Sequence, residues 1–131
     1  MHRRSSRSPG GHRNQDGVAA TEFAVLLPLL VVVVFGIIEF GLVFNTQLSL
    51  TGAAREGARV MAIHNDEGAA INATVTSASM NPAPSVTVTP SSCTRGQEVT
   101  VRAERQFTIR IPFFNGPTLD MSGVGVMRCG G

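Results

Sequence analysis

Tryptophan and tyrosine are absent from the 131 residues, and phenylalanine is the only aromatic. Membrane proteins usually place Trp and Tyr at both water interfaces, so here only Phe23, Phe40 and Phe44 can take that place. There is no G-x-S-x-G, no H-E-x-x-H and no phosphate-cradling glycine loop, which leaves out common signatures of hydrolases, zinc peptidases and nucleotide-binding proteins. The carboxy-terminal two-thirds hold one histidine, His64, beside Asp66 and Glu67. Three such neighbours at a helix end cannot face one point, so the cluster reads as a solvated cap. The expectation is a protein that is not an enzyme, with no catalytic residue, cofactor or metal site. Asn72-Ala73-Thr74 matches a glycosylation sequon, a pattern too common to weigh. No internal repeat is present.

Charge is missing over residues 23–38, which read FAVLLPLLVVVVFGII, and after Glu39 the apolar character resumes as FGLVF. Sixteen helical residues span about 24 Å, against a hydrocarbon core of roughly 30 Å. The span therefore borrows from residues 18–21 or from residues 40–44, and a glutamate lies in or near the membrane either way. A soluble helix is seldom apolar on every face over this length, so a transmembrane helix is expected. Pro28 removes one backbone bond and is expected to kink it. Glu39 reads as an interfacial residue that snorkels outward or as an intramembrane charge.

The leader ahead of this segment carries Arg3, Arg4, Arg7 and Arg13 against one acid, Asp16. A basic flank stays in the cytoplasm, so the chain is expected to cross once, amino-terminus inside and carboxy-terminal part outside. Arg55 and Arg59 lie on the far side, beyond the membrane edge and close to Glu56. The rest of the leader is rich in Ser, Gly and Pro and cannot build a core. Its arginines read as a topology signal and a contact for anionic lipid; nucleic acid, the other partner of such an arm, is not expected.

Both cysteines, Cys93 and Cys129, fall in the outer part. In an oxidising compartment an even count reads as one disulfide. Closing a loop of about 35 residues is worth about 3–4 kcal/mol in chain-entropy terms. Two unpaired thiols are the alternative, and a metal site is disfavoured because no histidine lies near either one.

Past the membrane, Gln47, Thr51, Arg55 and Arg59 recur every four residues, and Leu50, Ala54, Ala58 and Met61 mark the opposite stripe. This periodicity predicts an amphipathic helix, and with no intervening proline it continues the membrane helix as one rod over residues 18–64. Residues 65–68 break it, and a second helix is expected over 69–79. NPAPS (residues 81–85) ends any helix. The period then becomes two in SVTVT (85–89), EVTVRAE (98–104) and QFTIRI (106–111), as in half-buried strands. Residues 91–97 read as the first turn, PFFNGP as a loop, and GVGVMRC (123–129) as a last edge strand stapled to that turn by Cys129. The fold class expected is α+β: a long transmembrane helix running into an amphipathic one, then a small antiparallel sheet. The organisation expected is a disordered basic leader (1–17), the membrane helix (18–44), an extracytoplasmic helical segment (45–80) and a β-rich domain (81–131).

A carboxylate, Glu22, stands at the threshold of the apolar run in GVAATEF (residues 17–23). If the chain were cut after Gly17, Glu22 would be the fifth residue of the product, able to pair with the new amine of Val18 on a neighbouring subunit. Basic leader, Gly17, Glu22, then Phe23 and an apolar helix: this pattern resembles the class III signal of type IV pilin-like proteins. The longer string GVAATEFAVLLPLLVVVVFGIIEFG, followed by AAREGAR (53–59), resembles the TadE-like family, minor pilins or pseudopilins of tight-adherence (Tad/Flp) pilus systems. The likeness covers residues 16–62. It implies that an aspartyl prepilin peptidase cuts between Gly17 and Val18. It also implies that other Tad pilins or pseudopilins and assembly-platform proteins, with the lipid bilayer, are the partners. Thr21 departs from the family, which usually has an aliphatic residue there. The β-rich part carries no recognised motif.

Two other classes compete: an uncleaved bitopic envelope protein whose β domain is a binding or adaptor module, and a secreted protein with an ordinary signal peptide. The second is opposed by the length of the apolar run and by the lack of a small-x-small site before Asn45. A twin-arginine signal is opposed by the residues after Arg3-Arg4.

Overall fold

The computed structural model describes residues 13–112 and 114–130, with side chains from Gly17 onward. Two helices precede three strands: α1 (Arg13–His64), α2 (Glu67–Ala78), β1 (Ser85–Thr89), β2 (Glu98–Ile111) and β3 (Phe114–Arg128). The strands make one antiparallel sheet in the order β1-β2-β3, so the α+β class holds. α1 begins at Arg13, inside the stretch expected to be leader, and residues 1–12 lie outside the described residues.

Two compact units divide the chain, the first ending at Ile37 and the second beginning at Ile38. In the first, α1 exposes every residue of 18–37. Pro28 lies within the helix. It leaves the Ala24 carbonyl without its usual amide donor, and the helical backbone continues past it.

The second unit is built on the carboxy-terminal half of α1. Leu50, Ala54, Ala58 and Met61, the expected apolar stripe, are all fully buried. They pack with Val99, Val101 and Ala103 of β2, Val88 of β1, Met121 of β3 and Ala70 of α2 in one core. The strands and the helices thus share one core. A three-stranded sheet with one apolar face needs a cover, and α1 supplies it.

Asn65, at φ 50°, ends α1 in the left-handed conformation, its N–H donating to the Met61 carbonyl at 2.9 Å, as asparagine can at a helix carboxy-terminus. Asp66 then caps α2 through Oδ1, which accepts from the Ala69 N–H at 3.0 Å. The second helix thus starts two residues earlier than periodicity indicated, because the cap is Asp66 and Gly68 lies inside the first turn. α2 buries Ala70, Thr74 and Ala78, one stripe at a four-residue spacing. A Cβ on Gly57 of α1 would overlap the Thr74 hydroxyl and lie 3.1 Å from the Ala70 carbonyl oxygen. The two helices meet at that glycine.

β1 has the expected bounds. The two strands expected over 98–104 and 106–111 are one, β2, because Arg105 pairs with Met121 and the ladder does not break. The expected PFFNGP loop is also mostly strand. Ile111 pairs with Phe114, and β3 runs from there. Its ladder slips by one residue between Thr108 and Arg110, which face Thr118 and Asn115. Gly116 and Pro117 sit at this bulge. A Cβ on Gly116 would crowd the Ile109 carbonyl, and a proline is tolerated at a bulge of an edge strand. Proline read as a stop in the sequence is thus absorbed by a tight turn and a bulge.

Candidate functional site

The residues expected to carry processing and assembly lie along α1. Gly17 is helical, and nothing comes within 4 Å of where its Cβ would be. Its carbonyl accepts a hydrogen bond from Thr21 Oγ1 at 2.9 Å. This bond returns the hydroxyl to the backbone one turn earlier, so the one polar residue between Gly17 and Glu22 is masked from an apolar surrounding. Val18, Glu22 and Phe23 are exposed. Val18 and Glu22 are four residues apart and so occupy the same helical face. Among the described residues neither Glu22 nor Glu39 has an ion-pair partner. Gly17 in a helix interior costs about 1 kcal/mol relative to alanine.

Residues 17–59 match the family model of the TadE-like protein. The match begins at Gly17 and takes in the apolar helix and the AAREGAR segment (53–59). No curated protein and no solved structure matches the chain. Among the described residues one helix, residues 17–64 of α1, is long and apolar enough to cross a membrane, in keeping with a single-pass membrane protein.

Within the second unit the last part of the TadE-like segment has a structural task. Ala53, Ala54, Gly57 and Ala58 are buried, and their small size lets both α2 and the sheet approach the α1 backbone. Arg55 and Arg59 face solvent, Arg59 lying 3.6 Å from Glu56 in an exposed pair worth less than about 1 kcal/mol. Gln47, half-buried on the polar stripe, donates from Nε2 to the Ser122 carbonyl at 2.8 Å and so fixes β3 on α1.

Cys93 and Cys129 form the disulfide, with Cα atoms 5.6 Å apart. The Cys129 carbonyl accepts from the Gly96 N–H at 3.0 Å and the Cys129 N–H donates to the Gln97 carbonyl at 2.8 Å. Gly96 takes φ +85° in this turn, a conformation glycine adopts without penalty. The Cys93 N–H donates to Asn65 Oδ1. The staple thus joins the last strand, the first turn and the end of α1.

An open cleft of about 660 Å³ lies where β1 begins, between Pro82, Ser85, Glu104, Arg105, Asp120 and neighbours. Arg105 Nη2 donates to the Asn81 carbonyl at 3.0 Å, and Glu104 lies 3.8 Å from Arg102. Those groups are engaged with the fold itself. Among the described residues no group of three or more His, Cys, Asp or Glu could hold a metal ion.

Sequence reasoning passed over Gly123 and Gly125. A Cβ on Gly123 would overlap the backbone of Leu50 and Thr51, and one on Gly125 that of Ala54 and Arg55. Glycines two apart on one strand face, against residues four apart on a helix, let the helix backbone lie directly on the sheet. The signal was present in the G-V-G-V alternation at residues 123–126, whose glycines occupy the inward positions.

Proposed function

We propose that this chain is a membrane-anchored minor pilin or pseudopilin that acts in assembly of a Tad/Flp pilus. The observation that carries the reading is the TadE-like match starting at Gly17. A prepilin peptidase removes the leader between Gly17 and Val18, and the chain crosses the cytoplasmic membrane once with the disulfide-bonded part outside. An aspartyl peptidase needs an extended backbone close to its carboxylates; Gly17, without a side chain, allows that approach. After the cut the Val18 amine pairs with Glu22 of a neighbouring subunit, so that two charges neutralise each other in lipid and set the register of packed helices. Other Tad pilins and assembly-platform proteins are the partners, and the chain has no catalytic role.

Amino-terminal sequencing of membrane-extracted protein tests this directly. The expected first residue is Val18, and Gly17→Leu is expected to leave the precursor uncut. Glu22→Ala should still be processed but should enter pili poorly, at a cost of at most about 3–5 kcal/mol for a broken buried pair. A native amino-terminus at Met1, or normal maturation of Gly17→Leu, would sink the pilin reading and leave an uncleaved bitopic protein with an external adaptor module.

A further inference from the structure

The β2–β3 hairpin continues past the core that α1 covers. Val99, Val101 and Ala103 are buried, and at the same period of two Phe107, Ile109 and Ile111 stand on that same side of the sheet. Leu119 pairs with Phe107 and Phe114 with Ile111, so all five share one apolar face. Phe107 still packs on the core, whereas Ile111 is 43% exposed, Leu119 37% and Phe114 74%. The opposite face is polar, with Gln106, Thr108, Arg110, Thr118 and Asp120 in solvent. An exposed amphipathic tip of this kind lacks a partner that would cover its apolar side.

The direction of the hairpin says where that partner lies. Along β3, Gly125 lies on Ala54 and Gly123 on Leu50, and the Ser122 carbonyl meets Gln47. At the other end the Gly130 N–H reaches the Ala62 carbonyl at 3.4 Å. Falling numbers on β3 therefore follow falling numbers on α1, and the tip points to the end of this unit where the Ile38 side of α1 leaves the core. At that same end Phe40 is 73% exposed and Phe44 57%, an apolar rim that closes the membrane segment. Arg110 is exposed on the polar face beside the tip.

We propose that the β2–β3 tip is a second membrane contact, in which Ile111 and Phe114 enter the boundary between headgroups and acyl chains of the outer leaflet. The proposal rests on the membrane-anchored reading above. The hairpin would hold the external unit against the bilayer until the subunit leaves it.

The chain holds no native tryptophan, so a single introduced one is a clean reporter. The full-length protein carrying Phe114→Trp, Phe40→Trp or Val126→Trp is reconstituted into phosphatidylcholine vesicles, plain or brominated near the headgroup end of the chains. Ile111→Trp serves as a second tip reporter, and unchanged circular dichroism establishes folding. Blue-shifted emission quenched by the brominated lipid at Phe114→Trp and Phe40→Trp, with Val126→Trp unshifted and unquenched, is the expected result. Quenching at Phe40→Trp with none at either tip position overturns the hairpin contact while the membrane anchor stands. No quenching at any position overturns both. Tip emission that is blue-shifted but unquenched, and shifts further as the protein-to-lipid ratio rises, assigns the tip to a second copy of the chain and overturns the lipid contact.

Discussion

Replacing Gly125 by alanine adds one methyl group to a strand position where alanine is ordinarily the better residue. Here the sign is expected to reverse. The new Cβ would overlap the carbonyl of Ala54 and the nitrogen of Arg55, backbone atoms that cannot rotate away. To restore a contact distance of about 3.5 Å, α1 has to withdraw from β3 by about 1 Å. A gap of that size forfeits a quarter to a half of the dispersion energy of the atoms lining it, and Leu50, Ala54 and Val101, all fully buried, line this contact. Overpacking of this kind costs about 1–3 kcal/mol, and the loosened contact brings the expected total to about 3 kcal/mol. For a unit of this size each kcal/mol moves Tm by about 4–8 °C, so Tm should fall by more than 10 °C, that is by roughly 12–24 °C. The assay is thermal unfolding of the oxidised, detergent-solubilised full chain, followed by circular dichroism. Gly52→Ala is the internal control: it lies in α1 with nothing within 4 Å of its Cβ position and should stabilise by up to about 1 kcal/mol. A Gly125→Ala protein as stable as the parent would refute the claim that the helix backbone rests on that glycine.

Three further outcomes follow from the same structure. Reducing the disulfide, or replacing Cys93 and Cys129 by serine, should cost about 3–4 kcal/mol and slow migration on a denaturing gel; identical melting of the oxidised and reduced protein would leave the staple without a stabilising role. Asp66→Ala removes the cap of α2 and should lower stability by about 1 kcal/mol in chemical denaturation, whereas Asp66→Asn should be close to neutral. For topology, an impermeant thiol reagent on intact cells should label Ser77→Cys, whose parent side chain is exposed, and should not label Ser5→Cys; the reverse pattern would invert the proposed orientation.

What the linear chain determined by itself is whatever depends on periodicity and on local backbone chemistry. The uncharged run of residues 23–38 marked a helix apolar on every face, and the four-residue spacing of Leu50, Ala54, Ala58 and Met61 marked the buried stripe, because a helix repeats every 3.6 residues whatever it packs against. The β-branched alternation of SVTVT gave β1 its bounds, and two cysteines in a chain read as external gave the staple. Only the tertiary structure decided the rest. The break expected between Glu104 and Gln106 vanished because Arg105 found a ladder partner in Met121, sixteen residues along the chain, and pairing across a hairpin is not a local property. Pro112 and Pro117 marked loops, yet the tight turn and the bulge of an edge strand have no use for the N–H that proline lacks. Gly123 and Gly125 mattered neither as turns nor as flexible points. They mattered because a helix backbone comes to lie on them, and that approach exists only once the helix and the sheet have met.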